Sequence, residues 1–106
     1  MPDILSVAAE PTRRRILQLL VSGPLTVNEL AANFTVTRSA ISQHLGVLAG
    51  VGLVVSRKEG RQRIYSGVPS GMAQLRLELE RFWSAELDLL VRDATAQASD
   101  RRPIDS

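Results

Sequence analysis

Apolar residues return every three or four positions in several stretches of this chain and give way to a β-like pattern in one. In EPTRRRILQLLVSG, Ile16, Leu17, Leu19 and Leu20 form the apolar face of a helix. Pro11 suits its first turn, where a missing N–H costs nothing, and Gly23-Pro24 ends it. Ahead of it, Asp3 to Ala9 predicts a short apolar helix. TVNELAANF carries Thr26 and, three residues on, Glu29, a capping box that predicts a third helix from Val27 to Asn33. Thr37 can cap a fourth helix running to about Val51, and Gly52 can leave it in the left-handed conformation. In LVVSRKEGRQRIYSGV, β-branched and aromatic residues flank Glu59-Gly60, which predicts a hairpin. Gly60 supplies the positive φ of the turn, and Val55, Ile64 and Tyr65 are expected to pin the hairpin's base to the core. A long amphipathic helix follows Ser70 and reaches about Ala96. Asp100 to Ser106 is polar, contains Pro103 and reads as a frayed end.

The order is helix, helix, helix–turn–helix, hairpin, long helix. The fold class is therefore mainly α with a small β-hairpin. It is a winged helix-turn-helix, flanked by N- and C-terminal helices available for dimerisation. We expect one domain over 1–97, with its fourth helix at 37–51 and its wing at 53–68, and a disordered tail at 98–106.

The fourth helix separates its residues sharply. With Ile41 set at zero and an advance of about 100° per residue, Leu45 and Leu48 fall within about 40° of it and form a buried stripe. Ser39, Ser42, Gln43 and Gly46 point away. Arg38 lies in the first turn, and His44 sits on the flank. The outward residues are small hydrogen-bonding groups with one central amide. Such a face suits a helix entering a major groove, since small residues let the backbone approach base edges. A solvated helix face would have the same composition.

Charge changes the balance between those readings. The net charge of +2 over 106 residues hides an asymmetry. Between Pro11 and Tyr65 there are eight basic and two acidic residues, a net +6. Between Ser70 and Asp100 there are three basic and six acidic, a net −3. Twelve of the thirteen basic residues are Arg, whose planar fork suits phosphate and base edges. Arg57, Lys58, Arg61 and Arg63 crowd the hairpin turn. Edge-strand protection accounts for one or two such charges, but four within seven residues fit a phosphate-gripping wing. Arg61, near the tip, could enter a minor groove. Arg13, Arg14 and Arg15 point three ways, so no more than one or two can face the same phosphate.

His44, the only histidine, has no second His and no Cys to complete a metal site. It cannot activate Ser42, because residues two apart on a helix do not face each other. No set of nucleophile, base and acid supports an enzyme. A phosphate contact from the helix flank and a hydrogen bond inside the protein both remain open for it. The composition, 44% apolar and 23% charged, is globular. No apolar run nears the roughly 20 residues of a bilayer span. Nothing near Met1 reads as a signal peptide, and the absence of cysteine permits a cytoplasmic location.

The stretches AAEPTRRRILQLL and LTVNELAANFTVTRSAISQHLGVLAGVGLVVSRKEGRQRIYSG together resemble the ArsR-type, arsenical-repressor-like winged-helix regulators. The succession S-x-H-L, V-L-x-x-x-G-L-V and E-G-R-x-x-x-Y carries most of that resemblance, which runs from about Ile4 to Phe82. It implies a homodimeric repressor of double-stranded operator DNA. Ser39, Ser42 and Gln43 match the positions that read the major groove, and the wing arginines match the backbone contacts. The candidate DNA-binding set is thus Thr37, Arg38, Ser39, Ser42, Gln43 and His44 on the helix, with Arg57, Lys58, Arg61 and Arg63 on the wing. Two departures matter. Many relatives carry Lys or Arg where this chain has Gly46 and Ala49. Metal-sensing members place cysteines on the helix matching ELAANF, or Asp, His and Glu ligands on the last helix. Here Ala31 and Ala32 occupy the first stretch and the last helix has no His, so the resemblance is to the metal-independent branch, with no cofactor.

The last helix carries Leu75, Leu79, Phe82, Leu89 and Leu90 with Trp83 beside them. A single winged helix would struggle to cover that stripe. Pairing with the same helix of a second chain, together with Ile4, Leu5 and Val7 of the first helix, would bury it. Two rivals stand beside the repressor reading. One is a ligand-gated sensor of the same fold with an unrecognised small-molecule effector. The other is a winged helix used for protein–protein contact.

Overall fold

The computed structural model describes residues 3–100, and the side chains of residues 3–95. The chain runs α1 (Ile4–Ala9), α2 (Pro11–Leu20), β1 (Leu25–Thr26), α3 (Val27–Ala31), α4 (Arg38–Gly50), β2 (Val54–Glu59), β3 (Gln62–Gly67) and α5 (Pro69–Asp100).

Each short helix starts where a side chain can accept the orphan N–H groups of its first turn. Asp3 accepts from Ser6 N–H, Glu10 from Arg13 N–H and Thr37 from Ala40 N–H. Thr26 and Glu29 form the full reciprocal capping box predicted from their spacing. The third helix is shorter than predicted and stops at Ala31, where turn hydrogen bonds to Leu30 and Ala31 carbonyls take over. The exit from α4 is a Schellman motif. Leu53 N–H donates to Leu48 O at 3.0 Å, Gly52 N–H donates to Ala49 O at 3.1 Å, and Gly52 has φ +79°. Leu48 and Leu53, both fully buried, supply the apolar contact across it.

Ile41, Leu45 and Leu48 form the fully buried stripe of α4, as their spacing requires. Ile16, Leu17 and Leu20 of α2, Leu30 of α3, and Leu53 and Val54 close the core around them. Val7 of α1 joins that core at 2% exposure, which corrects its assignment to a partner-facing surface. The N-terminal turns of α5 pack on the same core through Met72 and Leu75.

The sheet has three antiparallel strands in the order β1-β3-β2, one more than the hairpin alone. Leu25 pairs with Tyr65 and Thr26 with Ile64, so the residues leading into α3 are tied to the wing. A two-residue strand has no periodicity to betray it. In the hairpin, Glu59 pairs with Gln62, which makes Gly60-Arg61 the turn rather than Glu59-Gly60. A positive φ at its first central residue alone, Gly60 at +64°, is the type II′ pattern. Strand alternation buries Val54 and turns Val55 outward at 55% exposure. Val54 therefore pins the hairpin, in place of the predicted Val55, together with half-buried Tyr65, while Ile64, also predicted to pin it, pairs with Arg57 on the other face.

Beyond Leu75, α5 leaves the core. The described chain measures 69 × 28 × 26 Å, with a radius of gyration of 19.6 Å against about 13 Å for a compact domain of this length. The helix continues through Asp100, three residues past the domain boundary expected at 97. The rest of the expected tail, 101–106, lies outside the described residues.

Candidate nucleic-acid interface

The outer face of α4 is built by what its inner face buries. With Ile41, Leu45 and Leu48 fixed inward, helical geometry leaves Ser39, Ser42, Gln43 and Gly46 exposed, with Thr37 and Arg38 exposed at the start of the helix. Thr37 Oγ1 is occupied as the cap of the helix.

The wing charges do not act as one block. Alternation puts Lys58 and Arg63 on one face, directly opposite each other in register, and Arg57 on the other. Like charges in that position repel, a cost that a nearby anion removes. Arg63 also donates to Ser56 Oγ at 3.1 Å. Arg57 is paired with Glu59 at 3.3 Å, which removes part of its pull on an outside anion. Arg61 sits exposed in the turn and has no ion pair among the described residues.

The structure brings the two elements together. A surface cavity of about 170 Å³ is lined by Thr26, Val27 and Asn28 at the start of α3, by Arg38 at the start of α4, and by Arg61, Gln62 and Arg63 of the wing. Three arginines from two distant segments line this wall, and no acidic residue does. Sequence reasoning missed Thr26, Asn28 and Gln62 here. They are short polar residues whose spacing has no period, and only the β1–β3 pairing carries α3 to the wing.

His44 has its Nδ1 turned into the protein. That atom lies 3.3 Å from Arg13 Nη1 and 3.6 Å from Glu10 Oε2. Arg13 also donates from Nε to the Val7 carbonyl at 2.7 Å, so this cluster joins the end of α1, the start of α2 and α4. Burial alone would push the Glu10 carboxyl up. The Arg13 and Thr12 backbone N–H groups, with the charges of His44 and Arg13, outweigh it and hold the group below its ordinary range. Of the two uses open to His44, the hydrogen bond inside the protein is made at Nδ1. Among the described residues, no group of three or more His, Asp or Glu could hold a metal ion. No helix there is long and apolar enough to cross a membrane.

Comparison with known proteins agrees with this geometry. Residues 10–56 match the family of bacterial regulatory proteins described as the arsR family. The HTH-type transcriptional regulator Rv2034 of Mycobacterium tuberculosis is 48% identical over 79 residues, covering 74% of this chain and 74% of that one. The transcriptional repressor SdpR of Bacillus subtilis is 32% identical over 66 residues, covering 62% of this chain and 73% of that one. A crystal structure of a possible transcriptional regulator for arsenical resistance superposes with a TM-score of 0.80 at 60% identity, covering 88% of this chain and 97% of that one. The matched residues span the helix–turn–helix that carries the polar outer face of α4 and end before the wing arginines. The chain belongs to the arsR family of bacterial regulatory proteins and is a DNA-binding transcriptional regulator.

Proposed function

We propose that this protein is a cytoplasmic homodimeric repressor that grips an inverted-repeat operator with α4 and the wing, without a metal site. The observation that carries the reading is the shared cavity wall, where the first turn of α4 and the wing tip present arginines to one surface. Ser39, Ser42 and Gln43 read bases in the major groove. Thr37, Arg38, Lys58, Arg61 and Arg63 hold the backbone, with smaller parts for Arg57, already paired, and for the outer edge of His44. Two-fold symmetry would place the recognition helices about 34 Å apart, one turn of the duplex. A gel shift on the gene's own upstream DNA tests the binding, and transcription from that DNA in vitro tests repression. Failure to retard that DNA in dilute buffer would leave the winged helix as a protein-contact module.

Gln43→Ala should relax the choice of base at one position per half-site and cost about 1–3 kcal/mol on the preferred sequence. A set of operator variants changed one base at a time measures this. An equal loss on every sequence would show that Gln43 contacts the backbone.

The dimer reading rests on α5. Leu79, Phe82, Trp83, Leu87, Leu89, Leu90 and Val91 are exposed by roughly half, and Phe82 and Trp83 meet edge to face at 5.6 Å. Half-buried Ile4, Leu5 and Leu75 extend that apolar surface toward α1. An unpaired face of this kind marks an interaction site, and the same stripe of a second copy, related by two-fold symmetry, is self-complementary to it. Replacing both Phe82 and Trp83 with Glu should convert the dimer to monomer at micromolar concentration in sedimentation velocity. Retained dimer would place the interface elsewhere.

A further inference from the structure

We infer that Arg13 is a positioning residue for DNA binding: it fixes the His44 ring in the tautomer protonated at Nε2, so that the flank of α4 turned to the operator carries a hydrogen-bond donor. This rests on the DNA-binding reading above and gives the start of α2 a part in it.

His44 Nδ1 has two neighbours of opposite demand. Arg13 Nη1, at 3.3 Å, can only donate, and ionised Glu10 Oε2, at 3.6 Å, can only accept. One proton decides between them. The guanidinium is the nearer of the two and is held in place, since its Nε donates to the Val7 carbonyl at 2.7 Å and its fork is planar. Glu10 stands farther off, and its Oε2 already accepts the Arg13 backbone N–H at 2.9 Å. Burial opposes the charge on Glu10, but the backbone N–H groups of Arg13 and Thr12 keep the carboxyl ionised. In the neutral ring Nδ1 is therefore the acceptor, and the proton sits on Nε2.

Nε2 faces out. It has no partner among the described residues, and no buried side-chain nitrogen there lacks one, so Nε2 reaches solvent. A helix with its side chains is about 10–12 Å across and fills a major groove about 12 Å wide, so a flank residue meets the wall of phosphates. A phosphate oxygen only accepts. A neutral ring protonated at Nδ1 would offer it a lone pair, whereas the tautomer set by Arg13 offers it an N–H.

Other charged groups on the elements packed against α4 are engaged or placed elsewhere. Asp3 caps α1 and Glu29 closes its capping box on α3. Arg57 pairs with Glu59, Lys58 lies opposite Arg63 on the wing, and Arg14 and Arg15 of α2 are exposed. Removing Arg13 thus leaves Glu10 beside Nδ1, and the ring proton should move there, turning a bare lone pair to the operator.

The test uses the full-length protein and its single histidine, which gives one pair of ring nitrogen signals. In ¹⁵N-labelled wild type at about pH 8, where an imidazole is neutral, Nε2 should carry the proton, and in Arg13→Met it should pass to Nδ1. Operator affinity of Arg13→Met should fall about tenfold at that pH, the range of a lost hydrogen bond to a charged group. At about pH 5 the imidazole carries protons on both nitrogens, and the variant should return to within about threefold of wild type. The same tautomer in both proteins, or an equal loss at both pH values, would overturn the assignment while the DNA-binding reading stands. Should Arg13→Met fail to fold, His44→Gln and His44→Leu decide at about pH 8. The glutamine amide nitrogen takes the place of Nε2 and should hold operator several-fold more tightly than leucine, and equal affinities would overturn the proposal. If wild type binds no operator at all, both readings fall.

Discussion

Raising salt from roughly 50 to 200 mM should weaken operator binding by a factor of 10³ to 10⁵. The range follows from counting charges that have nothing else to do. On each chain Arg38 and Arg61 are uncommitted, and Lys58 and Arg63 face each other with like sign. Two of the three basic residues of α5, by contrast, are matched to acids on their own helix, Arg76 with Glu80 and Arg81 with Glu78. Roughly three to five phosphates neutralised per chain, doubled in a dimer, give a slope of log affinity on log salt of about −5 to −9. Fluorescence anisotropy with labelled operator over four or five salt concentrations measures it. A slope shallower than about −3 would mean that the wing and the start of α4 do not engage the backbone together.

Gly71→Ala should lower the melting temperature by roughly 10–20 °C, about 3 kcal/mol of overpacking at the upper end of the usual range. Gly71 lies in the first turns of α5, where that helix presses directly on the exit from α4. A Cβ there would overlap the Gly52 carbonyl oxygen, lie 2.9 Å from its carbonyl carbon and 3.3 Å from Leu53 Cα. All three are backbone atoms, and Gly52 is held at φ +79° by the Schellman hydrogen bonds, so no side-chain rotation relieves the clash. The only escape is for α5 to lift away, drawing Met72 and Leu75 off the core they pack against. Gly46→Ala is the matched control. A Cβ at that site meets nothing within 4 Å, and removing a glycine from mid-helix should add about 0.5–1 kcal/mol. Equal melting temperatures for Gly71→Ala and wild type, read by circular dichroism, would show that the two helices are not in the contact described.

Much of the candidate site was legible because it rests on local rules. The stripe of Ile41, Leu45 and Leu48 follows from the helical period, and it dictates by subtraction that Ser39, Ser42 and Gln43 face outward. The capping box of Thr26 and Glu29 and the glycine exit at Gly52 are set by residues within a few positions of one another. The wing charges were legible as a cluster, but their division between two faces was not. That depends on the pairing of Lys58 with Arg63, which a shift of one residue would have reversed. The same shift exchanges Val54 and Val55 between core and solvent, and the two have no chemical difference by which to choose.

The sequence by itself determined the helices and the hairpin, the inward stripe of α4 and the surplus of arginine at the turn. Each of these is a property of a few neighbouring residues and of fixed backbone periods. Tertiary structure alone decided that Val7 belongs to the core, that His44 meets Arg13 and Glu10, that Gly71 must be bare, and that Asn28 stands beside Arg38 and Arg61. Those are meetings between separate elements, well beyond the reach of local periods, and they exist only once packing of the shared core has fixed how the helices and the three-stranded sheet lie against one another.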